Sequence, residues 1–281
     1  MGEPAEQEEL RGRVAARLAA AGIPTARTEA RWLVEHATGA QAPGRLEELV
    51  RRRLAGEPLQ LLLGRWPFRT VELELERGVF VPRPETEVVA GFAIDHARAL
   101  GRRVLAAEPC TGSGAIACAL VAEVDDLEVV ATDLDPRAVA LARRNLAEVR
   151  SRTRAVARRS RGEVHLGDLL EPLPASLQGR LDLIVANPPY LPLADRAGLA
   201  VEVADHDPAA ALFGGVDGHE VVDRLIAAAV SWLAPGGALV VEIDERRGPQ
   251  ASERARAAGL EQVRTARDLA GRDRVLLARA P

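Results

Sequence analysis

The sequence lacks lysine altogether, so all 37 of its basic residues are arginine. A mechanism that uses a lysine Schiff base or a lysine general base is therefore excluded. Cysteine is nearly absent too. Cys110 and Cys118 are too few for a disulfide framework or a cysteine zinc site, and no histidine pair stands at ligand spacing near them. We therefore expect no metal site and a reducing compartment.

Long apolar runs and a marked excess of one charge are also missing. No segment has the length and hydrophobicity of a membrane span, and residues 1–10 are acidic without an apolar centre, so we expect a cytoplasmic protein with no membrane contact. The 37 basic residues stand against 41 acidic ones, for a net charge of −4, so we expect no direct nucleic-acid partner. Hydrophobic residues make up 47% of the chain, which is enough for a large core.

Three patterns of hydrophobicity divide the chain. Over residues 1–63, apolar residues recur every three or four positions, which predicts a small helical domain. Residues 64–82 alternate instead, which predicts a linking β-hairpin with strands at 69–76 and 79–81 on either side of Gly78. Over residues 83–281, strand and helix patterns follow one another, as is typical of a doubly wound α/β sheet.

The α/β part should contain a mostly parallel sheet of seven strands, whose last two are joined too closely for a helical crossover and should pair antiparallel. The predicted strands are 103–108, 127–133, 163–166, 181–186, 238–243, 260–265 and 274–278. The predicted helices are 85–99, 114–124, 136–149, 218–233 and 248–258, with a turn at Pro235-Gly236-Gly237 before a strand.

The single tyrosine closes the run Asn187-Pro188-Pro189-Tyr190, which directly follows the apolar stretch 181–186. Open α/β sheets bind ligands at the carboxyl ends of their strands, so this tetrad has the position of an active site. The prolines fix the backbone and remove two N–H donors, which leaves carbonyl oxygens and the Asn187 amide oxygen as acceptors for an –NH2 group. The Tyr190 ring adds a face for stacking a planar nitrogen. We predict Asn187, Pro188 and Tyr190 to be catalytic.

A glycine loop follows the first strand of the sheet, in the run Glu108-Pro109-Cys110-Thr111-Gly112-Ser113-Gly114. Glycines there let the backbone approach a ligand and present N–H groups at the start of a helix. The next strand ends at Asp133, 19 residues beyond Gly114, a spacing at which an acid receives ribose hydroxyls. A ligand that contains a nucleoside is indicated.

The details of the loop favour S-adenosylmethionine over a dinucleotide. The dinucleotide pattern needs a third glycine where this chain has Ala117. Glu108 suits the cationic amino group of a methionyl moiety and would repel a pyrophosphate. Asp168, after the third strand, is placed to accept from the adenine amino group. The predicted cofactor-binding residues are Glu108, Thr111, Gly112, Gly114, Asp133, Asp168 and Asn187.

Together these residues resemble the HemK/PrmC-type protein-(glutamine-N5) methyltransferases, and the resemblance covers nearly the whole chain. The matching segments are Gly56-Glu57-Pro58-Leu59, Pro82-Arg83-Pro84-Glu85-Thr86, the glycine loop, the Asn-Pro-Pro-Tyr tetrad, Asp207-Pro208, Gly214-Gly215 and Arg267-Asp268. The run at 82–86 is the most family-specific, because adenine-N6 DNA methyltransferases share the tetrad.

The resemblance implies a class I methyltransferase fold that uses S-adenosylmethionine. It also implies a protein partner, because the family methylates the glutamine of a Gly-Gly-Gln motif in peptide-chain release factors and grips that substrate with its N-terminal domain. The substrate-binding residues that we expect are Arg83, Pro84, Glu85, Thr86, Pro189 and His206.

The chain departs from the family pattern in three places. Glu108-Pro109-Cys110 replaces the usual aspartate, leucine and glycine, and His206 precedes Asp207 where an aromatic residue is common. The N-terminal domain is also shortened between Gly39 and Leu46, as in a short-domain subgroup. Cofactor binding should survive, because Glu108 keeps the charge and both loop glycines remain.

Other functions stay open at this point. A free small molecule with a planar nitrogen, such as the guanidine of arginine or an amide metabolite, is one alternative acceptor. Adenine in DNA or RNA is another, and it would need base flipping and a basic groove. The segment 150–161, with six arginines, is the one candidate for such a groove. A cofactor-binding adaptor without turnover is the non-enzymatic alternative, which the intact Asn187 and Tyr190 disfavour.

Overall fold

The structure is a computed structural model that describes residues 3–37, 42–153 and 159–281. In these ranges the α-helices are α1 Glu3–Ala20, α2 Ala26–His36, α3 Ala42–Leu54, α4 Leu59–Leu63, α5 Pro84–Ala99, α6 Ala115–Glu123, α7 Pro136–Thr153, α8 Val201–Ala204, α9 Ala209–Leu212, α10 Glu220–Trp232 and α11 Gly248–Ala257. The strands are β1 Arg65–Phe68, β2 Val71–Glu74, β3 Val104–Pro109, β4 Leu127–Asp133, β5 Arg161–Leu166, β6 Leu181–Ala186, β7 Leu233–Glu242, β8 Glu261–Arg267 and β9 Asp273–Arg279. Short 3-10 helices span Ala175–Leu177, Leu193–Gly198 and Glu245–Arg247.

The chain forms two compact units, and their bounds differ in part from the predicted domains 1–63, 64–82 and 83–281. The first unit joins Met1–Arg65 to Ala200–His206, and the second joins Trp66–Leu199 to Asp207–Pro281. The hairpin therefore falls almost wholly in the second unit. The assignment of substrate recognition to residues 1–63 stays a prediction. Among the described helices, none has the length and the apolar character that crossing a bilayer requires.

The first unit is a helical cluster with a buried ion pair at its centre. Leu18, Leu33 and Val50 come from α1, α2 and α3 and are completely buried. Beside them, Arg53 Nε lies 2.6 Å from Glu29 Oε2, and both side chains are nearly buried. Glu202 of α8 approaches Arg53 to 2.7 Å and links the short segment to the N-terminal helices of the same unit. A buried charge needs such partners, because desolvation otherwise destabilises it.

The second unit is built on a seven-stranded sheet with the order β5-β4-β3-β6-β7-β9-β8. Strands β3 to β7 run parallel, and β9 pairs antiparallel with both β7 and β8. All six residues of β6 are buried, as expected for a central strand covered by helices on both faces. The α/β prediction of a seven-stranded, mostly parallel sheet with an antiparallel last pair is confirmed.

The order of the strands creates a crevice. The chain moves from β3 outward to β4 and β5, and then returns to place β6 on the other side of β3. Loops that leave the carboxyl ends of β3 and β6 therefore run to opposite faces of the sheet and separate. Ligands of open α/β sheets bind at such a switch point.

Three local predictions were wrong. The hairpin turns at Arg69-Thr70 between β1 and β2, with Arg69 in the left-handed region at a φ of 51°, and not at Gly78. Residues 79–81 form no strand, because Val79 packs with Ala138 and Leu141 of α7 and its burial does not come from sheet pairing. Strand β7 begins at Leu233 and not at residue 238, so Pro235-Gly236-Gly237 lies within the strand, where the register against β6 shifts, and does not form a turn before it.

The buried ion pair gives a stability prediction for the first unit. Replacing Arg53 by alanine leaves the Glu29 carboxylate buried without its positively charged partner. We expect this change to lower the free energy of local unfolding of the first unit by about 3 kcal/mol. Amide hydrogen exchange in α2 and α3 measures this quantity. The Arg51→Ala variant is the matched control, because Arg51 pairs with Glu48 at 2.7 Å on the surface. Equal exchange in both variants would contradict the structural role of the buried pair.

Candidate active site

A cavity of about 330 Å³ opens at the switch point of the second unit. Its wall combines the glycine loop after β3, residues at the ends of β4 and β5, and Asn187 and Pro189 of the tetrad after β6, whereas Pro188 and Tyr190 are not among the lining residues. Phe80 and Pro82 close one side, and Pro208 and Phe213 close another. The size falls in the range of small-molecule sites.

The glycine loop is tied to the end of β4 through Asp133. Gly112 N donates to Asp133 Oδ2 at 2.8 Å, and Asp135 N donates to the other carboxylate oxygen at 2.9 Å. Gly112 and Gly114 have φ angles of 55° and 80°. Helix α6 begins directly after Gly114, so its first N–H groups lie at the cavity.

The buried Glu108 and the partly buried Asp133 make the cavity receptive to a cation. Glu108 is 2% exposed, and its Oε2 accepts from Thr111 Oγ1 at 2.7 Å and from Ala117 N at 2.9 Å. Burial raises the pKa of Glu108 to about 8, because these hydrogen bonds offset the desolvation only in part. Burial also raises the pKa of Asp133. A bound cation would stabilise both carboxylates in their ionised form.

Asp168 follows β5 and lies in the same cavity wall. Its Oδ2 accepts from Arg224 Nη2 of α10 at 2.6 Å. The arginine therefore holds the carboxylate in place and leaves the second oxygen, Oδ1, available to a ligand.

The Asn-Pro-Pro-Tyr tetrad is held by a chain of hydrogen bonds that starts in the cavity wall. Asn187 Nδ2 donates to Thr86 Oγ1 at 3.0 Å, and Thr86 Oγ1 lies 2.8 Å from Glu242 Oε2. Tyr190 donates from its hydroxyl to Glu242 Oε1 at 3.1 Å. The guanidinium of Arg274 lies over the Tyr190 ring, 5.9 Å from the ring centre, and donates to the hydroxyl at 3.3 Å.

The backbone of the tetrad is fixed by the loop that follows it. Leu191 N donates to Leu212 O at 2.9 Å, and Gly214 N donates to Leu191 O at 3.0 Å. Pro188 and Pro189 are buried, and Pro189 lines the cavity. The prolines and these bonds leave the tetrad little freedom to move.

The predicted substrate-binding residues lie in different surroundings. Thr86 and Pro189 line the cavity. Arg83 pairs with Asp207, whose Oδ1 also accepts from Val81 N at 3.3 Å. Pro84 and Glu85 open α5, where Glu85 binds Arg272 at 2.6 Å. His206 belongs to the first compact unit and is not among the residues that line the described cavity.

Sequence reasoning missed Glu242, which connects Thr86 to Tyr190. The signal was present, because Glu242 is an acid at the end of the apolar strand Val240-Val241-Glu242-Ile243. A carboxylate at the carboxyl end of a buried parallel strand has the same position as Glu108 and Asp133. Asp207 belongs to a motif of the family resemblance, but its bond to Arg83 could not be read from the sequence.

No group of three histidine, cysteine or acidic side chains suited to a metal ion occurs in the part of the chain that the structure describes. The polar lining of the cavity consists of carboxylates, backbone amides, the Asn187 amide, the Arg224 guanidinium, the Cys110 thiol and three hydroxyl groups, those of Thr86, Thr111 and Ser113. Such a set suits an organic cation with a nucleoside.

The sheet order, the glycine loop and the acid at the end of β4 define a class I methyltransferase fold. Residues 97–204 match the family model of the methyltransferase small domain. A methyltransferase structure from Pyrococcus furiosus shares the fold, with a TM-score of 0.51 at 18% identity over 86% of this chain and 98% of that one.

Sequence relatives define the family more closely. A release factor glutamine methyltransferase of Streptomyces coelicolor is 42% identical over 250 residues, which is 83% of this chain and 83% of that protein. One from Deinococcus radiodurans is 40% identical over 280 residues, which is 94% of this chain and 95% of that protein. The chain belongs to the family of release factor glutamine methyltransferases, and it is an enzyme of the class that uses S-adenosylmethionine.

The glycine loop yields a prediction that separates strain from steric conflict. A Cβ at residue 114 would lie 3.1 Å from the Cα of Ala142 in α7, so Gly114→Ala forces α6 and α7 apart in addition to straining the backbone. We expect a loss of about 3 kcal/mol in the free energy of unfolding, measured by denaturant titration.

Gly112→Ala is the control for that prediction. No atom lies within 4 Å of a Cβ at Gly112, so only the left-handed backbone opposes the substitution. We expect about 1 kcal/mol for this variant. Equal losses at the two positions would mean that contact with α7 contributes nothing.

Proposed function

We propose that this protein transfers a methyl group from S-adenosylmethionine to the side-chain amide nitrogen of a glutamine in a peptide-chain release factor. The orientation of Asn187 carries the proposal. Its amide nitrogen is bonded to Thr86 at 3.0 Å, which leaves the amide oxygen as an acceptor at the cavity wall. The names of the relatives support the choice of glutamine and release factor.

The cavity fits S-adenosylmethionine by its chemistry. S-adenosylmethionine supplies a methyl group on a positively charged sulfur, together with an ammonium group and an adenosine. We assign Glu108 to the ammonium group, because a buried acid of raised pKa is stabilised by a cation. We assign Asp133 to the ribose hydroxyls and Asp168 to the adenine amino group.

Thr111, Gly112 and Gly114 complete the proposed cofactor site. Cofactor binding requires no large change in the loop, because Asp133 already holds Gly112 at 2.8 Å. A preformed loop reduces the conformational entropy lost on binding. Asn187 lies at the border between this region and the acceptor, and we assign it to both.

The tetrad would act on the acceptor by position and hydrogen bonding. We assign the Asn187 Oδ1 and the Pro188 carbonyl to the two N–H bonds of the glutamine amide. Two acceptors there orient the nitrogen and increase the electron density on it, so its lone pair is directed at the methyl group. The Tyr190 ring has Arg274 on one face, packs against the core of the second unit and is not among the residues that line the cavity, so its stacking on the acceptor stays a prediction. Methyl transfer would leave neutral S-adenosylhomocysteine and a cationic N-methylamide, and the N-methylamide would lose its extra proton to solvent, so the proposed mechanism contains no general base.

A nucleic-acid acceptor is less well supported. In the segment 150–161, Arg152 pairs with Glu148 at 2.6 Å and Arg161 pairs with Glu128 at 2.7 Å. Residues 154 and 158 lie outside the described residues. Arginines that are already paired contribute less to a basic groove. A free guanidine or amide metabolite would use the same acceptor atoms as glutamine, so experiment must separate these two.

The proposed acceptor can be tested directly. Incubation of the purified protein with methyl-labelled S-adenosylmethionine and a release factor should label the glutamine of the Gly-Gly-Gln motif, as located by peptide mass spectrometry. A release factor with that glutamine replaced by alanine is the control. Free arginine, free glutamine and an adenine-containing oligonucleotide are assayed in parallel. Faster labelling of one of these than of the release factor would overturn the proposal.

Removal of the Asn187 acceptor should impair turnover far more than cofactor binding. For Asn187→Ala we expect a fall in kcat of about 100-fold, comparable to the loss of one group that stabilises a transition state. The Kd for S-adenosylmethionine, measured by calorimetry, should change less than about threefold, because the cavity wall keeps Glu108, Asp133 and Asp168. Equal loss of turnover and affinity would assign Asn187 to the cofactor alone.

A further inference from the structure

The hydrogen bonds around Glu242 have a direction that follows from counting protons. An ionised carboxylate has no proton to donate, so Thr86 must donate its single hydroxyl proton to Glu242 Oε2 across 2.8 Å. Thr86 Oγ1 can then only accept from its other neighbour. That neighbour is Asn187, which must turn its Nδ2 toward Thr86, and the two lie 3.0 Å apart.

We propose that Glu242 is a positioning residue that fixes, through the hydroxyl of Thr86, which end of the Asn187 amide faces the acceptor. With Glu242 ionised, the amide oxygen faces the acceptor and can bind an N–H donor. The same carboxylate accepts from the Tyr190 hydroxyl at 3.1 Å through its other oxygen, so one side chain orients both ends of the tetrad. This inference rests on the proposed function for its consequence in catalysis, but the network itself can be tested without turnover.

The surroundings of Glu242 make the direction of the network depend on pH. Glu242 is 1% exposed at the end of β7. Burial raises the pKa of Glu242 to about 7. The charge of Glu85 also raises this pKa, whereas the hydrogen bonds from Thr86 and Tyr190 and the charge of Arg274 lower it. These four residues come from α5, the tetrad and β9.

Protonation of Glu242 permits the reverse arrangement. One proton taken from solvent can be donated by Glu242 to Thr86, and Thr86 can then donate its own proton to Asn187 Oδ1 once the amide turns over. The –NH2 of Asn187 would then face the acceptor, where it opposes an N–H donor. We therefore expect kcat to fall as the pH falls through about 7 and to have its full value above that pH.

The single tyrosine of the chain provides a readout that does not need an acceptor. Protein labelled with carbon-13 at the tyrosine Cζ gives one resonance, from Tyr190, whose hydroxyl contacts Glu242. We expect this resonance to titrate with a midpoint near pH 7 in the unaltered protein and to lose that titration in Glu242→Gln.

Asp244→Asn is the matched control for the titration. Asp244 is also a buried acid just beyond β7, but its carboxylate binds the backbone N–H and guanidinium of Arg246. The titration near pH 7 should persist in this variant. Its persistence in Glu242→Gln, or its loss in Asp244→Asn, would overturn the assignment to Glu242.

A second pair of variants tests the hydroxyl of Thr86. Thr86→Val keeps the shape and removes the hydroxyl, whereas Thr86→Ser keeps the hydroxyl. We expect Thr86→Val to raise the midpoint of the Tyr190 titration, because the carboxylate loses a donor, and Thr86→Ser to leave it near that of the unaltered protein. An unchanged midpoint in Thr86→Val would show that the hydroxyl does not donate to Glu242.

Turnover with a release factor then tests the consequence. Glu242→Gln and Thr86→Val should lower kcat about 10-fold or more above pH 8 and change the Kd for S-adenosylmethionine less than about threefold, and Thr86→Ser should retain most of the turnover. The fall of kcat with pH below 7 should disappear in Glu242→Gln. Equal kcat in Thr86→Val and Thr86→Ser would overturn the proposal.

The unaltered protein separates this inference from the proposed function. If it does not methylate the release factor while the Tyr190 titration depends on Glu242, the proposed function is wrong and the hydrogen-bond network around Glu242 is still supported.

Discussion

The site depends on a constraint of sheet topology, which is that β3 and β6 are neighbours whose following loops run to opposite faces. The crevice between those loops exposes the carboxyl ends of several parallel strands at one place. Glu108 on β3 and Asp133 on β4, which are far apart in sequence, both line the cavity there. Glu242 at the end of β7 is connected to the cavity wall through Thr86. The topology does not choose the chemistry, but it determines which residues can contribute to it.

Burial has the same electrostatic effect on two of these acids and a different consequence for each. Desolvation raises the pKa of both Glu108 and Glu242 toward neutral pH. Glu108 lines the open cavity, so a cation can stabilise its ionised form. Glu242 is enclosed by Thr86 and Tyr190, so its charge acts on neighbouring hydroxyl groups and through them on the tetrad. In the function that we propose, Glu108 would bind the cofactor and Glu242 would orient the tetrad.

The sequence predicted the sheet well because buried parallel strands are continuous apolar runs, as β6 shows. It failed at the hairpin, because the alternation around Val79 comes from packing on α7 and not from strand pairing. It placed Asn187 at a strand end but could not find its support. Thr86 is 101 residues from Asn187 and 156 from Glu242, and contacts at such separation follow from the packing of α5 against the sheet, which periodicity does not encode.

The altered start of the glycine loop shows why a departure from a family pattern need not alter a site. Cys110 stands where the family resemblance has glycine, and its φ of 60° is in the region that glycine adopts most easily. The conformation costs about 1 to 2 kcal/mol for a residue with a Cβ. It is maintained from both sides, since Pro109 pairs with Thr132 in the parallel ladder and Thr111 N donates to Thr132 O at 3.0 Å. The sheet therefore imposes the shape of the loop. Glu108 and Gly112 line the cavity even though Cys110 does not favour its backbone angle, so the loop keeps the form on which the proposed cofactor site depends.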